Sequence, residues 1–201
     1  MLAPGFSSIP LAASTPMAPA RAAGYSAAKA RLNNQPILPM SKLKTLRDLY
    51  VEQLQDLHSA ELQLTKALPS LAEAASDPML KAAFEEHLEQ TRIHVERLEG
   101  ICRSLDVPPK GPLCKAMKGL IAEGKEIASH PAEPAVRDAG LIAAAQRVEH
   151  YEIAGYGCVR TYAEILGDSS NRDTLQQTLD EEGSTDHRLT EIASTLNLVA
   201  R

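Results

Sequence analysis

The segment "AAAQRVEHYEIAGYGCV", residues 143–159, reads as helix. Its inward positions run Ala145, Glu149, Glu152, Tyr156, Val159, Ala163 and Leu166, spaced 4, 3, 4, 3, 4 and 3. That rhythm is the buried stripe of a helix in a bundle. Two of its members are glutamates one turn apart. A carboxylate taken out of water must be paired, protonated or bound to a cation. The stripe therefore predicts a bundle whose core holds more than hydrocarbon.

The same rhythm recurs on both sides of this segment. "SKLKTLRDLYVEQLQDLHSAELQLTKALPSLAEAA", residues 41–75, carries Leu43, Leu46, Tyr50, Leu54, Leu57, Glu61, Leu64, Leu68, Leu71 and Ala75 on one face, with Ser41 expected as its N-cap. Asp77-Pro78 opens a second helix, with Pro at its first position. Its stripe is Leu80, Phe84, His87, Thr91, His94, Leu98, Ile101 and Leu105. "DVPPKGP" ends it, a short amphipathic piece follows at about Cys114–Ala128, and "SHPAEP" breaks the chain again. The third long helix spans about Ala135–Leu166, and after the expected turn "GDSSN" a fourth spans about Arg172–Leu198. Tight links within each pair of long helices and about 29 residues between the pairs predict an all-α, ferritin-like four-helix bundle with one long crossover carrying a short helix.

Composition agrees with this reading. The 201 residues are 44% hydrophobic but only 3% aromatic, with no Trp, and Ala, Leu and Glu favour helix. A net charge of −5 leaves no basic footprint for nucleic acid. No apolar run approaches the ~20 residues of a membrane span. Three cysteines without metal-ligand spacing suit a reducing, cytoplasmic setting. Residues 1–40 stand apart: they hold 6 of the 13 prolines and no Asp or Glu. They are expected to be a disordered leader, or an extension ahead of a true start at Met40, with residues 41–201 forming the bundle.

Every long helix interrupts its apolar stripe near the middle: Glu61; then His87, Thr91 and His94; then Glu149 and Glu152; then Glu182 and Asp186. Glu61 precedes His94 by 33 residues, as Glu149 precedes Glu182, so the two hairpins are built alike. Five carboxylates gathered in a dry core, with no Lys or Arg on the stripes, call for cations. Carboxylate and imidazole donors suit Fe or Mn. In carboxylate-bridged two-metal bundles, two helices each give Glu and two give Glu-x-x-His. Here Thr91-x-x-His94 and Glu182-x-x-x-Asp186 depart from that pattern, and the second Glu of helix three offers a replacement ligand. The expected ligands are Glu61, His94, Glu149, Glu152, Glu182 and Asp186. His87, two turns or ~10 Å from His94, is expected outside the ligand set. Tyr156 reads either as a core tyrosine or as a donor to a ligand carboxylate. His58 and His130 read as surface or helix-end residues, and His187 as outward-facing.

The motifs "DLHSAELQLTKALPSLAEAA", "HLEQTRIHVERLE", "AAAQRVEHYEIAGYG" and "LDEEGSTDHRLTEIA" give residues 41–199 a resemblance to the YciE/YciF-like family of bacterial ferritin-like proteins. The chain is also similar to rubrerythrins in topology. The resemblance implies a homodimer, a role in stress and carboxylate positions at Glu61, Glu149, Glu152 and Glu182, with His94 as the helix-two histidine. Two functional expectations follow. In the first, two divalent ions, Fe before Mn, react with O2 or peroxide. In the rival, the polar core is a metal-free hydrogen-bonded network in a non-catalytic dimeric stress protein.

Overall fold

Helix starts follow caps written into the chain. In the computed structural model, which describes residues 43–201, Thr45 accepts from the Asp48 amide while the Asp48 side chain accepts from the Thr45 amide. This reciprocal capping box opens α1, Leu46–Ala74. The expected cap Ser41 and the leader 1–40 lie outside the described residues. Asp77 accepts from the amides of Met79 and Leu80 and opens α2, Pro78–Ser104. The short α3, Lys115–Ser129, lies in the crossover. It leads to α4, Pro134–Ile165, and α5, Ser169–Val199. The last helix begins three residues earlier than the "GDSSN" turn suggested, because Asp168 caps it by accepting from the Asn171 amide.

Both hairpin helices α2 and α4 end in the same way. Asp106 and Gly167 adopt left-handed backbone, at φ 57° and 79°. The amide of the following residue then reaches back to the first orphan carbonyl, Val107 to Cys102 and Asp168 to Ala163.

Contacts along α1 fix the path of the crossover. Arg47 donates to the Leu105 carbonyl, Gln55 to Pro108 and Gln63 to Cys114. At the far end, the Asp138 carboxylate accepts from the amides of Ser76 and Asp77, at 2.7–3.1 Å. The connection between α2 and α4 therefore runs the length of α1. Helix α4 then descends beside α1, and α5 returns beside α2. Each of the four long helices lies antiparallel to the long helices beside it, in the one-crossover connectivity that the linker lengths predicted.

The interior has three storeys. One apolar core gathers Leu64, Leu68, Phe84, Leu141, Leu189 and Ile192, among others. The other gathers Tyr50, Leu54, Leu98, Tyr156, Val159 and Leu175. Each fully buried Leu contributes roughly 2 kcal/mol, so the two cores carry the fold. Between them lies a layer of buried polar groups: Glu61, His87, Thr91, His94, Glu149, Glu152 and Glu182. Leu43 and Leu166, expected on the stripes, are 43% and 41% exposed because the bundle has ended there.

Candidate metal centre

Adjacent side chains on different helices assemble the layer. Glu61 comes from α1, His87 and His94 from α2, Glu149 and Glu152 from α4, and Glu182 from α5. Two groups form. In one, single ligand atoms of His87, Glu149, Glu152 and Glu182 all lie within 4.8 Å of one another; in the other, those of Glu61, His94 and Glu182 do. Glu182 belongs to both.

Of the six expected ligands, five meet in these groups and Asp186 does not. Its side chain is 22% exposed, accepts from Gln146 and lies 3.4 Å from the exposed His150. Four residues beyond Glu182, it has rotated past the core and looks onto the α4–α5 groove. His87, expected outside the ligand set, is brought beside Glu149. Its Nε2 sits 3.4 Å from Glu149 Oε1, and its ring is 3% exposed. The sequence argument placed all ligands at one height. The layer instead spans two turns, because Glu149 lies a turn before Glu152 on the descending α4 and faces His87. The reading of His58 is corrected: it is buried at 5% exposure, with Nε2 3.4 Å from Glu99. His187 and His130 are exposed, as expected.

Burial and mutual charge govern the protonation of the layer. Burial and the nearby Glu182 push Glu149 well above the ordinary carboxyl range, and burial with Glu61 and Glu182 does the same to Glu152. Burial lifts Glu61 to about 7, although His94 and Tyr156 oppose the rise. Burial pulls His87 down, toward the neutral imidazole. Burial would also lower His94, but the carboxylates of Glu182 and Glu61 outweigh it and raise the ring to about 10. His94 thus supplies the counter-charge that no Lys or Arg offers. Its Nδ1 lies 3.0 Å from Glu182 and 3.4 Å from Glu61.

Neighbours hold these groups in place. Tyr156 donates its hydroxyl to Glu61 and sets its ring edge-on to His94, with centroids 6.2 Å apart. The core and the functional readings of this tyrosine thus coincide. His94 Nε2 bonds Glu181 at 2.8 Å, and Arg97 grips Glu181 through two bonds, one of 3.0 Å. Arg97 holds Glu181 down at about 2, against the opposing effect of burial. Thr91, at the place of a ligand glutamate, donates instead to the His87 carbonyl at 2.8 Å. Tyr151 turns away to Asp56 and Cys114. Gly155 lets α4 approach α1 closely: a Cβ there would meet Leu57 Cδ2 at 2.7 Å.

Donor chemistry favours cations. Eleven buried side-chain polar atoms among the described residues have no hydrogen-bond partner, and eight of them belong to this layer. They include both oxygens of Glu152 and of Glu182, His87 Nε2 and His94 Nδ1, which make no hydrogen bond although His94 Nδ1 and His87 Nε2 lie at ion-pair distance from Glu182 and Glu149. Natural cores leave few such atoms unpaired. Here they converge, and carboxylate and imidazole lone pairs are of the kind that can donate to a cation.

Two antiparallel hairpins joined by one end-to-end crossover make this a protein of the ferritin-like class. The family model described as "Domain of unknown function (DUF892)" matches residues 45–199, and the chain belongs to that family. Protein YciF of Escherichia coli is 46% identical over 152 residues, covering 75% of this chain and 92% of that protein. The crystal structure of that stress protein superposes with a TM-score of 0.75 at 45% identity, covering 77% of this chain and 98% of that one. YcfI of Rhodopseudomonas palustris superposes with a TM-score of 0.72 at 39% identity, covering 75% and 96%. The family thus includes the E. coli stress protein. No described helix is long and apolar enough to cross a membrane.

Proposed function

We propose that the layer binds two divalent cations, iron before manganese, and that the loaded protein reacts with O2 or peroxide as part of a stress response. The observation that carries this reading is the convergence of unpartnered carboxylate and imidazole atoms into two groups sharing Glu182. Glu61, His94 and Glu182 would hold one ion, and His87, Glu149, Glu152 and Glu182 the other. The chemistry such ions supply is electron transfer to an oxidant. The chain's own residues do the rest. Tyr156 orients Glu61 by donating to it. Glu181, gripped by Arg97, accepts from His94 Nε2 and so presents Nδ1 to the layer, as outer partners of ligand histidines do. The apolar storeys on either side exclude water. Three free cysteines suit a reducing compartment, the cytoplasm. By family resemblance the working form is a homodimer; a single-protomer mass by light scattering at micromolar concentration would contradict that.

One observation favours the rival, a metal-free network: His94 already pairs with Glu61, Glu181 and Glu182. Metal analysis of protein purified without chelators separates the two readings. Our reading expects about two ions per chain, with oxidation of bound Fe(II) on adding O2 or peroxide. Purified protein free of metal that also fails to take up Fe(II) or Mn(II) would favour the network.

A further inference from the structure

We infer that the small apolar cavity beside His87 and Glu149 is a dioxygen subsite, so that the oxidant suited to this layer is dioxygen and not peroxide. The inference rests on the metal-binding reading above. The cavity measures about 20 Å³ and lies among α1, α2, α4 and α5 at the edge of the polar layer. Its walls include Leu68 of α1, Phe84 of α2, Val148 of α4 and Leu189 of α5. His87 and Glu149 close it on the layer side, and His87 Nε2 and Glu149 Oε2 make no hydrogen bond. The hydroxyl of Thr185, also in the wall, is engaged by the protein itself: it lies 3.1 Å from the Glu181 carbonyl, 3.3 Å from Gln90 Oε1 and 3.4 Å from His87 Nδ1.

Size and polarity choose the guest. One water-sized sphere needs roughly 10–15 Å³, so the space admits one molecule of a few atoms and nothing the size of a sugar or an amino acid. Apolar cavities stay dry and accept apolar guests. Dioxygen has no hydrogen to donate and gives up little on leaving water. Hydrogen peroxide carries two O–H donors, and leucine, phenylalanine and valine walls would leave its far end unpaired. A guest seated here abuts the His87–Glu149 group and is separated from the Glu61–His94 group by the layer itself. Occupation is non-covalent: no bond forms or breaks in the cavity.

Two measurements test this. In the first, crystals of metal-free protein are pressurised with krypton, an apolar probe with no hydrogen-bonding capacity. One krypton atom between Leu68, Phe84 and Leu189 is expected; ordered water in its place, or no krypton, overturns the subsite. In the second, Fe(II)-loaded wild type and Ala83→Leu, which grows into the cavity from α2, are mixed separately with O2 and with hydrogen peroxide. The rate of Fe(III) formation with O2 should fall about tenfold in the variant, while the peroxide rate stays within about twofold. Equal falls, or none, would overturn the inference. Should Ala83→Leu not fold, Leu68→Phe fills the same space from α1. A wild-type protein that oxidises Fe(II) with neither reagent would sink the metal reading, and krypton occupancy would still decide the cavity.

Discussion

Glu182 is the residue on which the layer turns, because it alone belongs to both ligand groups. Removing it should cost both ions, whereas removing Glu61 should cost one. Equilibrium dialysis against Mn(II) should therefore give about two ions for wild type, one for Glu61→Ala and fewer than one for Glu182→Ala. Asp186→Ala should retain both, since that side chain faces the helix groove; loss of an ion would return Asp186 to the ligand set. The metal-free protein should also show an inverted pH response. Glu61 titrates at about 7 when folded, mainly through burial, against roughly 4.3 for a free Glu side chain. The folded chain therefore holds more protons than the unfolded one between those values, and stability falls as pH rises through them. His94, raised to about 10 by its carboxylate neighbours against the pull of burial, acts in the same direction above its ordinary value of ~6.5. His87, lowered by burial, acts oppositely, but only below that value. Between pH 6.5 and 8.5 the metal-free protein should lose at least roughly 1 kcal/mol, read as a Tm lower by a few degrees. Bound cations should flatten or reverse the trend, because their ligands must be deprotonated. A metal-free Tm that rises over this interval would contradict the assignment of raised carboxyls.

Two contacts outside the layer hold the helices that present it. Gly167 ends α4 in left-handed backbone, and a Cβ there would meet nothing within 4 Å. Gly167→Ala should therefore cost only the backbone term, about 1 kcal/mol in urea unfolding. Asp138 is 1% exposed and ties the α1–α2 turn to the first turns of α4 through two backbone amides. Asp138→Ala should cost about 2–3 kcal/mol by leaving those amides unpaired. A loss below half of that would mean water satisfies them. Sequence pattern reached the helices themselves because the 3.5-residue rhythm and the Asp77-Pro78 signal are local. It missed Asp138, although that residue continues the α4 stripe, since its partners are amides on the far side of a turn. It did not show that His87 meets Glu149, because that contact crosses the bundle. Spacing along one helix was treated as distance between ligands, whereas an imidazole and a glutamate reach toward each other across the bundle and shorten it.

At the scale of the whole molecule, connectivity was legible because linker lengths constrain which helices can be neighbours. The position of the polar layer between two apolar cores was legible because each stripe broke near its middle. What pattern could not supply was the partition of the layer into two groups, which depends on how far α4 slides against α2. Binding to the native state alone should make the bundle more stable by mass action, about 2.7 kcal/mol at a free-metal concentration a hundredfold above Kd. Chelator should remove that increment, and Glu152→Ala should abolish most of it while leaving a folded bundle. The most direct test is anomalous diffraction from crystals soaked in Fe(II) or Mn(II). The account predicts two peaks about 3.5–4 Å apart, one within reach of Glu61, His94 and Glu182, the other of His87, Glu149, Glu152 and Glu182. A crystal with no peak in the layer, and with His94 still paired to Glu61 and Glu182, would contradict it.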